Sequence, residues 1–357
     1  MSVITRLTRL KAEVRIIRIS IPQLTASRII PFCSELSQLG TDDKYFFDAS
    51  NITNYEPFSM LLCAAKIRQF CQERNLSASD YELRYLENSS FTYGCHMGFF
   101  RTAGFPYGKE PGEARGSSTY IPLKKINVSD WMQGAIQRGD YSDEVDIIEK
   151  ESTKMAQILG QNNVELTKLF IYLIREAVRN VPEHAETREL WICGQFWRNR
   201  DGMPAEIAIL DEGCGIFRSL CRNHRHREFI RTNEDALYWA IKPGVSSSFS
   251  PEQASKSGNQ NGNSGYGLFN ISEICKLTNG NMTLLSNDNC IRVFRNNISA
   301  SNTSFHGTAL GIRINTEGID NYKKLIDMAC RQGEETAKSI KNAFKEASIP
   351  SRGLLFP

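Results

Sequence analysis

The stretch Glu176-Ala-Val-Arg-Asn180-Val-Pro-Glu-His184-Ala185 closes a long run with helical periodicity. Apolar residues recur at Leu166, Leu169, Phe170, Leu173, Ile174, Ala177 and Val178, which predicts a helix from Val164 to about Val181. Pro182 is expected to end or kink it. A spacing of four places Glu176, Asn180 and, one turn on, His184 along one face. An amide and a carboxylate one turn apart suit a metal–phosphate site, the amide oxygen taking Mg²⁺ and the carboxylate orienting water. Taken alone, the same pattern is an ordinary polar helix face.

Three further segments follow in order. Strand-like Leu190 to Trp197 and Ala205 to Leu210, separated by the Arg200-Asp-Gly202 turn, read as a hairpin. The second strand runs into Asp211-Glu-Gly213-Cys-Gly215, where a carboxylate could accept the amino hydrogens of a flat base beside glycines that leave it room. At Asn263-Ser-Gly265-Tyr266-Gly267-Leu268 a glycine-rich loop passes into an amphipathic helix, an arrangement able to cradle phosphates. His306-Gly307-Thr308 then leads into an apolar strand, with other strands expected at Asn281 to Ser286 and Cys290 to Phe294. Each alone also reads as a common turn.

The order of the four resembles the N-box, the two glycine motifs and the final Gly-Thr motif of the GHKL superfamily, the gyrase, heat-shock chaperone, histidine kinase and MutL ATPases. The resemblance spans about Val164 to Ile314, and EAVRNVPEHA is most similar to the N-box of anti-sigma-factor kinases and histidine kinases. It implies ATP and Mg²⁺ as cofactors, with Asn180 the metal ligand and Glu176 the catalytic base or water-orienting carboxylate. It likewise implies Asp211 as the adenine reader, Gly213, Gly215 and Thr308 in the base pocket, and Gly265, Tyr266, Gly267 and Leu268 at the phosphates. Val181 and Pro182 depart from the pattern, so binding is the firmer expectation than turnover. Ser246 to Asn263, dominated by Ser, Gly, Asn and Gln, is expected to be a mobile lid.

Towards the amino terminus, the aromatic strand Tyr45 to Phe47, a polar loop, a helix from Pro57 to Arg74 and a strand at Tyr81 to Leu86 predict a small α/β layer. This looser pattern resembles STAS domains, the anti-anti-sigma fold, over about residues 40 to 110. The phosphorylated STAS proteins carry a serine where Pro57 and Phe58 stand here, which implies a scaffold without the phospho-switch.

The expected architecture is therefore α/β. A STAS-like domain (1–120) and a helical connector (121–160) precede a GHKL sandwich whose mixed sheet is covered by helices on one face (161–318) and a charged helical tail (319–357). The 357 residues are 41% hydrophobic and 23% charged, long enough for two cores. Lys plus Arg number 43 against 40 Asp plus Glu, so no net field recruits nucleic acid or an anionic membrane. The ten cysteines form no CxxC pair, and no stretch reads as a signal peptide or a membrane span, so a soluble cytoplasmic protein is expected. The basic stretch Arg222 to Arg231 reads as a solvated face before a nucleic-acid contact. Expected partners are ATP, either a protein or the chain's own N-terminal domain, and further copies of the chain in a homo-oligomer. The leading expectation is a nucleotide-dependent regulator with slow ATP hydrolysis. The alternatives are an anti-sigma-type serine/threonine kinase and a non-catalytic ATP-sensing adaptor.

Overall fold

The computed structural model describes residues 4–6, 16–40, 44–247 and 264–353. The chain is a mixed α/β protein built on two sheets. The smaller sheet orders β1 (Ile4–Arg6), β2 (Ile16–Ser20), β3 (Lys44–Asp48) and β4 (Tyr81–Arg84); β1 is antiparallel to β2, and β2, β3 and β4 run parallel. Parallel neighbours require crossover helices. These are α1 (Ala26–Ser37), between β2 and β3, and α2 (Pro57–Glu73), between β3 and β4.

Among the described residues the larger sheet has seven strands, β5 (Tyr120–Asn127), β6 (Glu189–Phe196), β7 (Pro204–Asp211), β8 (Asn281–Ser286), β9 (Asn289–Phe294), β10 (Asn297–Asn302) and β11 (Thr308–Asn315). Their order is β10-β9-β8-β11-β7-β6-β5, and every pair is antiparallel. This corrects the expected mixed sheet. The connections from β8 through β10 are tight turns, which only antiparallel neighbours allow. The expected connector is not separate either: β5 forms an edge of this sheet, and α6 (Glu144–Gly160) packs along α7 (Val164–His184). In the chain, α5 (Val128–Gln137) comes between β5 and α6.

Pro182 does not end α7, which continues to His184. A proline in the last turn withholds one amide hydrogen without blocking the remaining residues. After β4 come α3 (Ser89–Met97) and α4 (Phe99–Thr102), parted by left-handed Gly98. After β7 come α8 (Gly215–Cys221), α9 (His224–Arg227), α10 (Asn233–Ala240), α11 (Gly267–Leu277) and, past β11, α12 (Tyr322–Ala337).

Both faces of the large sheet are covered, not one. Along β7, Ala205, Ile207 and Ile209 join the core beneath α6, α7, α11 and α12, while Ala208 and Leu210 join a second core with the N-terminal elements. The alternation is the two-residue period of a strand applied to two apolar layers. The element filling that second layer is α2, with fourteen of its seventeen residues buried, Lys66 and Gln69 included. A helix apolar all round belongs in an interior, and α2 packs against β6, β7 and β11 as well as α1.

In the expected helical tail (319–357), α12 stops at Ala337. The following residues fold back: the Phe344 amide donates to Gly244 O at 2.9 Å, and the Ser348 amide donates to Ser264 Oγ at 2.9 Å. No helix among the described residues is long and apolar enough to cross a membrane.

Candidate functional site

Strand β7 carries Asp211 at its end, opposite Thr308 at the start of β11. The Asp211 side chain is buried; its Oδ1 accepts the Gly213 amide hydrogen at 2.9 Å, and the Thr308 hydroxyl and amide also donate to the carboxyl. Burial pushes its pKa up to about 7, helped by the neighbouring Glu212 charge and opposed by the bonds from Gly213 and Thr308. The turn after it packs on the end of α7, where the Cys214 amide donates to Ala185 O at 2.8 Å. A Cβ on Gly213 would lie 2.1 Å from that carbonyl, so the close approach admits only glycine.

Gly265 has φ +73°, a left-handed conformation, and its carbonyl accepts the Gly244 amide hydrogen at 3.1 Å. Two residues later α11 opens with no side-chain cap and no acidic residue in its own first turn. These segments meet. Asn180, Asp211, Gly215, Gly265, Gly267, Leu268 and Thr308 all line one pocket, together with the apolar Ile209, Leu284 and Leu310. Segments separated by as many as 128 positions thus converge on one concavity.

Three expected residues sit elsewhere. Gly213 shapes the turn behind the pocket without lining it. Tyr266 is buried, its hydroxyl donating to Phe344 O at 3.0 Å. Glu176, expected as the base, is buried and does not line the pocket: its Oε1 takes Nη2 of Arg175 at 2.9 Å. Arg175 is shared with Glu149 at 2.7 Å. The other oxygen, Oε2, lies against Gly267, 2.8 Å from where a Cβ there would stand. A carboxylate committed to a buried guanidinium is poorly placed to take a proton from water.

His184 lines the pocket as well, with Nδ1 3.0 Å from the Ser247 hydroxyl, and burial lowers its pKa. Its spacing of four from Asn180 is the signal that marks it. Ser246 and Ser247 complete that wall. The rest of the expected lid, 248–263, lies outside the described residues.

Among the described residues no group of three or more His, Cys, Asp or Glu could hold a metal ion. A Mg²⁺ at Asn180 would therefore take its other ligands from phosphates and water, a coordination that Mg²⁺ commonly adopts. The basic stretch after α8 makes no metal site: His226 is buried against Trp239, whereas His224 is exposed. Its Arg222 pairs with Glu186 at 2.6 Å.

No family model matches the chain, and neither a curated protein nor a solved structure matches it.

Proposed function

We propose that this chain binds ATP·Mg²⁺ in the pocket between α7, β7, α11 and β11, and acts as a nucleotide-dependent regulator. In this reading a GHKL-type domain is fused to a STAS-like one. The observation that carries it is the convergence of Asn180, Asp211, the Gly265–Leu268 loop and Thr308 on a single cavity. Asp211 receives the exocyclic amine of adenine, the apolar floor takes the base, and the uncapped end of α11 receives phosphate oxygens. When bound, Mg²⁺ would neutralise phosphate charge beside Asn180.

Hydrolysis is slow in this reading because the Glu176 carboxylate is held by Arg175. The partner that senses the nucleotide is the chain's own N-terminal layer, which touches Glu212, the neighbour of Asp211, through Arg68. Calorimetry with ATP and GTP in the presence of Mg²⁺ tests the reading. ATP binding with GTP clearly weaker is expected, and absence of ATP binding overturns it. Labelled γ-phosphate recovered on a protein would instead favour the kinase alternative.

A further inference from the structure

On the far side of the large sheet a second, more polar cavity lies between the two layers. The amino-terminal ends of α1 and α2 form one wall, and side chains of β7, β8, β9 and β11 form the other. Its charges are unequally matched. Arg313 lies 3.0 Å from Glu56 and also pairs with Glu206, and Arg200 lies 3.9 Å from Glu56. Glu206 further accepts the Phe58 amide hydrogen at 2.8 Å. Two carboxylates are thereby balanced by two guanidiniums. Arg292, on the same wall, makes no ion pair with any described residue, and its buried Nε has no hydrogen-bond partner.

A second group is left over. Ser59 is 0% exposed, lines the cavity, and its Oγ has no partner. A buried hydroxyl without a partner loses its hydration and gains nothing in return, so such groups call for an explanation. The third feature is the start of α1, twelve residues long, where Thr25 supplies no side-chain cap and the first turn holds no acidic residue. Its positive end faces the same space through Thr25, Ala26 and Ser27. An unmatched guanidinium, an unmatched hydroxyl and an uncapped helix end share one complement, a compact anion with several acceptor oxygens.

We propose that this interlayer cavity binds a small oxyanion, the phosphoryl or carboxylate end of a small molecule, through Arg292, the Ser59 hydroxyl and the start of α1. The site is separate from the nucleotide pocket and stands or falls independently of it.

The test is titration of the full chain with inorganic phosphate, and separately with malonate, followed by calorimetry and thermal denaturation at low chloride. Saturable phosphate binding is expected, persisting in Asp211→Asn and in the presence of a non-hydrolysable ATP analogue. Arg292→Met should weaken it at least tenfold while leaving ATP binding unchanged. Ser59→Ala should abolish the phosphate-induced rise in melting temperature without lowering the melting temperature of the unliganded chain, since an unpartnered hydroxyl does not hold the fold together. Phosphate binding without malonate binding assigns a phosphoryl ligand, and binding of both assigns a site that accepts carboxylates. Two outcomes overturn the proposal: no saturable binding of either anion, as for a water-filled cavity, or phosphate binding untouched by both substitutions.

Discussion

Arg68 Nη2 lies 2.7 Å from Glu212 Oε2, joining α2 to the residue that follows Asp211. Gln69 reinforces the joint: its Nε2 donates to Glu212 Oε1 at 3.0 Å and to His306 O at 2.8 Å, and its Oε1 accepts the His306 amide hydrogen at 3.1 Å. The N-terminal layer thus grips both strand ends that present the pocket's polar groups. Because the Glu212 charge raises the pKa of Asp211, removing its guanidinium partner should raise it further. Arg68→Ala is expected to cost about 1 kcal/mol of stability and to move the pH midpoint of ATP binding upward. An unchanged midpoint, measured by calorimetry across pH, would break the link between α2 and the pocket.

Asp211→Asn should weaken ATP binding by about 1.5–3 kcal/mol, roughly tenfold or more, because an acceptor carboxylate gives way to an amide that can present a donor. The same substitution should narrow the preference for ATP over GTP. Equal ATP affinity in the parent and the variant would remove Asp211 from the base site.

The pH dependence follows from the same carboxyl. Its ordinary value is 3.8, and burial raises it to about 7, so the folded chain keeps a proton that the unfolded chain releases between those values. This contribution to the stability of the unliganded chain is fully present below 3.8 and is lost as pH rises through about 7. ATP binding should run the opposite way, strengthening from pH 6 to pH 8 as the carboxylate ionises. Comparison with Asp211→Asn cancels the titration of the phosphates themselves. Parallel affinity curves for the two proteins would refute this assignment.

Glu176→Gln should change ATP affinity by less than about threefold. It should lower stability by about 1–3 kcal/mol, since a charged partner of Arg175 is lost while Glu149 remains. If Glu176 instead orients the attacking water, hydrolysis would fall by about 10²–10⁴ with stability nearly intact. Single-turnover hydrolysis and thermal denaturation of one preparation separate the two roles.

Gly213→Ala places a Cβ 2.1 Å from the Ala185 carbonyl and should destabilise by about 1–3 kcal/mol, with nucleotide affinity falling as the turn shifts. Near-parental melting and affinity would show that the turn can yield.

What the sequence reveals depends on whether the signal is local. The run to Val178 in α7 and the hairpin of β6 and β7 are legible because one face of each carries a regular apolar period. The order of the strands is not, and neither is the second covering layer: an apolar run such as Met60 to Ala65 reports burial without naming what lies opposite. Strand β5 escapes because its register against β6 shifts between Ile121 and Lys124, which breaks the two-residue alternation. At the candidate site, Asn180, Asp211 and the glycine loop are legible as motifs, each on its own element. The Arg175–Glu176 pair is not, because adjacent helix positions point apart and are not expected to meet.

Burial of α2 on every side gives the large sheet the character of a party wall. Dividing the chain near residue 120 would strip the lining from one side of that wall, baring Cys193, Ala208, Leu210 and Ala309 to water. Neither half is a tenant that can leave without exposing the other. A strand shifted by a ligand on one side is a strand shifted for both.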